Sequence, residues 1–408
     1  MASELSGLID GVLAEVVAFR RDLHMHPELS RRERETSRRI RERLAKLPGL
    51  KVFPPLMETD VVALLNADQP GHCLALRADI DALPIQEESP ESEVPYRSTV
   101  PGVMHACGHD GHTANLLGTA MVLSKMADKL PGRVLFVFQP DEEDESGARV
   151  LCERGLFELT KVDAIIGLHG WPQRPVGSVS MRYGPAMASS NSFFITIRGV
   201  GAHGAYPHRG VDPIVVAAHI VMALQSIMGR SVNPIDAGVV TVGAIHAGTA
   251  TNIIPPECEM KGTLRHLDPE VGQLLRERLV EIVENTAKAH RAAATVRFGP
   301  AYPSVSNEEA TTRLVEVTAR ELLGTDNVHI DDPPSMGVED FAYYLQHVPG
   351  MMFRVGVRPK HLDTYPALHN PRFNFNDEAL PVGMRMFGTL AERYLQEKST
   401  RQKVRMSE

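Results

Sequence analysis

The chain has 408 residues, more than one hydrophobic core usually organises, so we expect two domains. Its composition is that of a soluble globular protein, and a net charge of −8 argues against a nucleic-acid partner or an anionic membrane surface. Four cysteines are too few for a disulfide framework, and we find neither a signal peptide nor an apolar run that approaches a membrane span. We therefore expect a cytoplasmic protein without a membrane partner.

The sequence pattern of the first half of the chain predicts helices that alternate with short buried strands. Residues 6–47 have a helical pattern that Pro27 must break, and residues 111–126 are apolar enough for a buried crossover helix. Short continuous apolar runs between helical segments are typical of a mostly parallel sheet with helices on both faces. The fold class we expect is therefore α/β. The strand-like runs are at residues 73–76, 134–138 and 164–168.

From about residue 188 the pattern changes to β-α-β-β-α-β, which is the ferredoxin-like arrangement of a smaller α+β domain. Strand-like sequence that belongs with the first pattern returns at residues 351–356. We therefore predict an insertion: residues 188–301 form the smaller domain, and residues 1–187 together with 302–408 form the larger one. The strands of the insertion are predicted at 192–199, 237–245, 257–265 and 295–298, and its helices at 213–228 and 269–290.

Four segments place metal-binding side chains where a strand should give way to a loop. Because parallel strands of an open α/β sheet present their sites at one edge, we expect these side chains to lie close together. One thiolate, three imidazoles and two adjacent carboxylates are more than one zinc needs and about what two bridged metals need. The pattern predicts a metallohydrolase. The side chains are those of Cys107, His109, Glu142, Glu143, His169 and His369.

The adjacent glutamates suggest a division of roles. Neighbours in an extended segment point in opposite directions, so one of Glu142 and Glu143 can bind metal while the other faces the substrate as a base. Taken alone, this acidic stretch would be an ordinary solvated loop, and Cys107 an ordinary buried cysteine. The combination of all four segments is what indicates a site. Asp110 and His112 are candidate hydrogen-bonding partners of the ligands.

Motifs along nearly the whole chain resemble one family. The chain is similar to the di-metal aminoacylase and carboxypeptidase superfamily, and within it to the amidohydrolase branch of hippurate hydrolases, bacterial N-acyl-amino-acid amidohydrolases and plant auxin-conjugate hydrolases. The resemblance implies a homodimeric enzyme that cleaves the amide bond of N-acyl or aromatic-acyl amino acids, or related small amides, with metal-activated water. The motifs are at residues 20–30, 76–84, 104–113, 167–169, 201–208, 252–255, 262–265, 339–343 and 369–371.

The resemblance also implies a role for each site residue. Glu142 would be the general base, and His203, in the inserted lid and dimerisation domain, would bind the carbonyl oxygen, often in the partner subunit's site. Asn252 and Arg265 would contact the substrate carboxylate, which a planar guanidinium can hold with two hydrogen bonds. Two divalent metals, zinc or else manganese, nickel or cobalt, would be held by Cys107 as a bridge and by His109, Glu143, His169 and His369.

The chain departs from the family pattern at a few positions. Asp141 replaces the usual small residue before the glutamate pair, and Val338 replaces a serine. As in the amidohydrolase branch, Arg77 stands where the wider superfamily has a ligand histidine, so Asp79, which orients that histidine elsewhere, is expected to be structural. Neither Asp141 nor Val338 removes a ligand or the base.

Two other functions remain open from the sequence. Cys107 could be a nucleophile paired with His109 or His112 in an enzyme without metal. Alternatively, the chain could be a family member that acts only as a scaffold or as a binder of small molecules. The first alternative gives Glu143, His169 and His369 no role, and the intact set of ligands with a base argues against the second.

Overall fold

The structure is a computed structural model that describes residues 2–330 and 332–407. Within these residues the helices are α1 (Ala2–Met25), α2 (Arg34–Leu44), α3 (His109–Ser124), α4 (Gly147–Glu153), α5 (Pro213–Arg230), α6 (Pro269–Ala289), α7 (Glu309–Leu323) and α8 (Leu380–Ser407). The strands are β1 (Leu50–Val52), β2 (Val61–Leu65), β3 (Cys73–Asp79), β4 (Arg133–Gln139), β5 (Ala164–Pro175), β6 (Val179–Met181), β7 (Gly184–Met187), β8 (Ser189–Arg198), β9 (Ala202–His203), β10 (Gly238–Ala247), β11 (Ile253–Ile254), β12 (Glu257–His266), β13 (Ala293–Tyr302), β14 (Val305–Asn307), β15 (Val328–Ile330) and β16 (Gly350–Arg358).

The chain divides into two compact units. The first unit comprises Met1–Gly184, Ser306–Pro333 and Asp340–Glu408, and the second comprises Pro185–Val305 together with Pro334–Glu339. The short segment Pro334–Glu339 was not assigned to the insertion from the sequence. It joins the second unit through backbone hydrogen bonds, because the amide of Ala188 donates to the carbonyl of Ser335 and the amide of Ser335 donates to the carbonyl of Ala186.

The first unit contains a sheet of eight described strands in the order β1-β2-β4-β3-β5-β16-β6-β15. β3 is parallel to both β4 and β5, and β16 is parallel to β5, as is β15 to β6. The pairs β1–β2, β2–β4 and β16–β6 are antiparallel. The predicted mostly parallel sheet is thus confirmed, and the three strands predicted from apolar runs are the adjacent strands β4, β3 and β5 at its centre.

Both faces of this sheet are covered. Every residue of β2 and β3 is buried, as expected for strands with elements packed on each side. Every residue of α3 is buried too; α3 packs against α1, α8 and the central strand β3. A helix buried on all sides needs no polar face, which is why its sequence shows an apolar run without an amphipathic pattern.

The sheet brings the predicted site segments to one edge. Asp79 at the end of β3 pairs with Gln139 at the end of β4, so the segments that follow these two strands start side by side. His169 lies further along β5, the neighbour of β3 on its other side. This arrangement follows directly from the parallel pairing of β4, β3 and β5, which are neighbours in the sheet.

The second unit has a four-stranded antiparallel sheet in the order β10-β12-β8-β13, with α5 and α6 packed together against it. This is the predicted ferredoxin-like arrangement of strands and helices. Both helices begin in the same way: the side chains of Asp212 and Asp268 accept a hydrogen bond from the second helical amide, and a proline occupies the first helical position.

Helix α5 is an apolar run that does approach the length of a membrane span, contrary to the expectation from the sequence. Its 18 residues are long and apolar enough to cross a membrane by length and composition. In the structure one face of this helix, formed by Val216, Ile220, Leu224 and Ile227, is buried in the core of the second unit. The spacing of these residues is that of an amphipathic helix on a sheet.

Candidate metal centre

The five predicted metal ligands form two groups that share one residue. Cys107, His109 and His169 form one group, in which the donor atoms all lie within 4.8 Å of one another. Cys107, Glu143 and His369 form the other by the same criterion. Cys107 Sγ is 3.5 Å from His169 Nε2, and Glu143 Oε1 is 3.2 Å from His369 Nε2 and 3.8 Å from His109 Nε2. A thiolate common to both groups would be able to bind two neighbouring cations.

The turn that carries Cys107 and His109 requires a glycine between them. Gly108 has a φ of +85°, in the left-handed region. A Cβ added there would lie 3.1 Å from Phe375 and 3.2 Å from Phe373. The turn therefore packs against two aromatic rings and leads straight into α3, whose first residue is His109.

Hydrogen bonds orient two of the imidazoles for metal binding. Nδ1 of His109 lies 3.0 Å from the carbonyl oxygen of Asp81 and 3.1 Å from its carboxylate, to both of which it can donate its proton. Nδ1 of His169 donates to the carbonyl oxygen of Gly170 over 2.8 Å. Each contact holds the proton on Nδ1 and leaves Nε2, which faces the other donors, able to bind a cation.

Buried atoms without a hydrogen bond show that the site fits metal ions. His109 Nε2 and Glu143 Oε1 are both buried and make no hydrogen bond, although His369 Nε2 approaches Glu143 Oε1 to 3.2 Å. Such atoms are costly unless they bind something polar, and a cation among these donors would satisfy both. Burial, with the charge of Glu143, raises the pKa of the Cys107 thiol, and a divalent cation would displace its proton because the thiolate is the form that binds metal.

His112 is excluded as a ligand although it lies near His109 and Asp79. Its Nδ1 is 2.6 Å from a carboxylate oxygen of Asp79, and its Nε2 accepts a hydrogen bond from the amide of Gly170 over 2.7 Å. Both ring nitrogens are therefore occupied. Asp79 is also paired with Arg77 at 2.8 Å, so this carboxylate has the structural surroundings expected for it.

Glu142 lies beside the predicted ligands, as expected, but the backbone there is not the extended segment that the sequence predicts. Residues 142–145 form a turn rather than an extended segment, so the two glutamates do not point in opposite directions. Carboxylate oxygens of Glu142 and Glu143 lie within 4.8 Å of each other and of a ring nitrogen of His109. A carboxylate that is next to the predicted ligands and only partly buried would be able to accept a proton from a bound water.

Asp141, the unusual residue before the glutamate pair, shapes that turn. It has a φ of +60°, a conformation that aspartate tolerates better than most residues, and its side chain is fully buried. Arg31 Nε binds its carboxylate at 2.7 Å, and Glu33 accepts hydrogen bonds from the amides of both Asp141 and Arg31 at 3.0 Å. The extra negative charge is therefore paired with a guanidinium and held away from solvent.

The other three predicted site residues belong to the second unit. His203 in β9 pairs with Ile253 in β11, next to Asn252, whose carbonyl oxygen accepts a hydrogen bond from the amide of Gly204 over 2.8 Å. His203 is exposed. Arg265 in β12 donates to the carbonyl oxygen of Met336 over 2.7 Å. The substrate contacts implied for His203, Asn252 and Arg265 stay predictions.

Asp110, which the sequence predicts as a hydrogen-bonding partner of the ligands, is instead bound by Arg20 and His24, to which the sequence assigns no role. Arg20 Nε and His24 Nδ1 lie 2.7 Å and 2.8 Å from the same oxygen of Asp110, and all three side chains are fully buried. Asp110 is the second residue of α3, so the pair with Arg20 ties α1 to the start of the helix that carries His109. Asp81 was likewise missed, although its place two residues after β3 was a signal for it.

Comparisons with known proteins identify the family. The sequence pattern of peptidase family M20/M25/M40 matches residues 75–393. The chain belongs to this family. It is 40% identical over 367 residues to the N-acetyl-L-cysteine deacetylase of Bacillus subtilis, covering 90% of this chain and 85% of that protein. It is 38% identical over 388 residues to the IAA-amino acid hydrolase ILR1-like 4 of Arabidopsis thaliana, covering 94% and 86%.

A solved structure gives the same result for the fold. The Bacillus subtilis YXEP protein, described as a dinuclear metal binding peptidase from the M20 family, superimposes with a TM-score of 0.83 and 36% identity, covering 95% of this chain and 99% of that one. The chain is therefore a metal-dependent hydrolase of amide bonds with a site for two divalent metals.

Proposed function

We propose that this M20-family hydrolase cleaves the amide bond of N-acyl amino acids, releasing a carboxylic acid and a free amino acid. Two relatives support this substrate class by name, one as an N-acetyl-L-cysteine deacetylase and one as an IAA-amino acid hydrolase. The observation that carries the proposal is structural: two donor groups share Cys107, and the carboxylate of Glu142 lies beside them.

The chain's own residues account for the proton transfers. Two divalent cations at this site would polarise the acyl oxygen and lower the pKa of a water. Glu142 accepts a proton from the attacking water as its oxygen bonds to the acyl carbon. The bond from that carbon to nitrogen then breaks, and Glu142 gives the proton to the leaving amine. His203 would donate a hydrogen bond to the carbonyl oxygen while that oxygen carries negative charge.

We propose zinc as the metal. One thiolate and three imidazoles among five ligands match the preference of zinc for sulfur and nitrogen, while the carboxylate of Glu143 would also suit manganese, nickel or cobalt. Burial lowers the pKa of His169, which keeps this imidazole in the neutral form that binds a metal.

A homodimer is the proposed assembly, and features of the second unit support it. Along α5, Ile214, Val215 and Met222 are exposed, with 45%, 48% and 73% of their surfaces accessible. Among the described residues, strand β10 is at an edge of the four-stranded sheet and pairs on one side only, with β12. An apolar helix face next to an open strand edge is a surface that proteins usually cover.

Glu142→Gln tests the base. We expect kcat to fall by roughly 10²–10⁴-fold on an N-acyl amino acid, with both metals retained, because glutamine cannot accept the proton. Kinetics should be combined with elemental analysis of the same samples. Glu153→Gln, an exposed glutamate of α4 paired with Arg149, is the matched control and should keep full activity. Near-normal turnover by Glu142→Gln with metal bound would show that another group is the base.

The thiol-nucleophile alternative gains no support from the structure. A nucleophilic cysteine needs a lowered pKa and access to substrate, whereas burial raises the pKa of Cys107 and only 7% of the residue is exposed. Glu143 and His369 also converge on its sulfur, where a thiol mechanism has no use for them.

A further inference from the structure

The only tryptophan of the chain, Trp171, lies next to the metal centre. It follows His169 by two positions in β5, so both side chains are on the same face of the sheet. Its ring centroid is 6.1 Å from that of His169, with the two rings nearly perpendicular at 81°. His169 is buried and Trp171 only partly so, which leaves some of the indole open beside a metal ligand.

An arginine covers one face of this indole. Arg354 in β16 is the register partner of His169, so its side chain also lies on that face of the sheet. The central carbon of its guanidinium is 3.8 Å from the centroid of the Trp171 ring, which is direct stacking. The carboxylate of Asp332, which is also bound by Arg174, lies 3.9 Å from Nη1 of Arg354 and pairs with its charge.

The stack fixes the orientation of the indole. A tryptophan held on one face by an anchored guanidinium cannot turn freely, so its remaining open surface keeps one direction. A rigid aromatic surface that is partly open costs little conformational entropy when a ligand covers it. The metal function needs only the imidazole of His169, and gives no role to the neighbouring indole or to Arg354.

We propose that Trp171, stacked on Arg354, is a wall of the subsite that receives the acyl group, and that it selects flat aromatic acyl groups over small or saturated ones. This inference rests on the amide hydrolysis proposed above, because the acyl carbon must lie at the metals beside His169. An aromatic ring packed on the indole gains stacking energy that an acetyl or cyclohexyl group does not.

Tryptophan fluorescence can test the acyl subsite by ligand binding alone, without measuring catalysis. Because Trp171 is the sole tryptophan, all indole emission reports this position. Metal-loaded wild-type protein should be titrated with benzoate and with cyclohexanecarboxylate, which has the same charge and similar size but no flat ring. We expect benzoate to change the emission and to bind roughly threefold to tenfold more tightly. Equal affinities, or no response of the emission to benzoate, would overturn the proposal.

Two substitutions test the selectivity in the reaction. Trp171→Leu should lower kcat/KM for an N-benzoyl amino acid roughly tenfold, mainly by raising KM. It should change kcat/KM for the N-acetyl derivative of the same amino acid by less than about twofold. Trp171→Phe should retain most of the preference. Phe53→Leu, which removes an aromatic ring stacked with Lys51 beside the edge strand β1, is the control and should affect both substrates alike. Equal losses on both substrates with Trp171→Leu would mean that the indole is only structural.

The two tests separate this inference from the proposed function. If wild-type protein hydrolyses no N-acyl amino acid but binds benzoate preferentially, the amidohydrolase proposal fails and the aromatic subsite stands. If hydrolysis occurs without any preference for the aromatic acyl group, the subsite fails and the amidohydrolase proposal stands.

Discussion

At the scale of single residues, the predicted metal ligands are oriented by groups that are not themselves predicted ligands. Asp81 is the clearest case. Its backbone and side-chain oxygens contact Nδ1 of His109, and the other carboxylate oxygen accepts hydrogen bonds from the amide of Glu143 at 3.0 Å and the hydroxyl of Ser30 at 2.8 Å. One side chain therefore orients a ligand of each donor group.

We expect Asp81→Asn to weaken metal binding by about 10–100-fold, as is usual when a group that orients a ligand histidine is lost. Both carboxylate oxygens of Asp81 accept hydrogen bonds from N–H groups, so in asparagine the amide nitrogen would replace one acceptor and face a donor. Competition with a coloured chelator measures the affinity independently of catalysis. Asp163→Asn removes an aspartate paired with His72 at 3.1 Å and serves as the control. Unchanged metal affinity in Asp81→Asn would remove this role from Asp81.

At the scale of elements, the sequence predicts the central strands of the large sheet but not the shape of the turn after β4. β3, β4 and β5 are predictable because they are central, and a strand covered on both faces must be continuously apolar. The sequence alone predicts an extended segment after β4, because the shape of the turn depends on a positive φ at Asp141 and on a partner, Arg31, that is 110 positions away in the chain. Neither feature leaves a local pattern.

The stability of the fold depends on pH through Glu33, which binds the backbone of this turn. Burial, with the nearby charge of Asp81, raises the pKa of Glu33 from its ordinary 4.5 to about 7. The folded state therefore binds this proton more tightly than the unfolded state, and ionisation of Glu33 destabilises the fold progressively as the pH rises from 4.5 through 7. The full cost is on the order of 3 kcal/mol.

Glu33→Gln should remove that cost and keep the hydrogen bonds, because an amide oxygen can still accept from the backbone of Arg31 and Asp141. We expect the variant to gain stability relative to wild type as the pH is raised from about 5 to about 8, by on the order of 3 kcal/mol. Thermal unfolding at both pH values measures the difference. A gap between the two proteins that does not change with pH would show that Glu33 titrates normally.

At the scale of the whole molecule, the sequence predicted the insertion because the ferredoxin-like alternation differs so clearly from the apolar runs around it. It could not predict that Pro334–Glu339 joins the second unit, since this segment is attached by backbone hydrogen bonds to Ala186 and Ala188 and by the side chain of Arg265, all of which are far away in the chain. The roles of His203, Asn252 and Arg265 came from resemblance alone, because they concern contacts with a substrate.

The proposed dimer can be tested at the exposed face of α5. We expect wild-type protein to sediment at twice the mass of one chain, and Met222→Glu to shift it towards the single chain, because a carboxylate buried in an apolar interface is strongly unfavourable. Val317→Glu, at a similarly exposed apolar position on α7 with 45% of its surface accessible, is the control. A wild-type protein that sediments as a single chain would refute the dimer.

Elemental analysis of purified protein shows whether Cys107 is shared by two divalent cations, as its place in both donor groups implies. We expect two metals per chain in wild type and fewer than two in Cys107→Ala, since the shared sulfur belongs to both donor groups. Exhaustive chelation should abolish activity, and added Zn²⁺ or Mn²⁺ should restore it. A single metal per chain, two tightly held metals in Cys107→Ala, or full activity in metal-free protein would contradict the two-metal assignment.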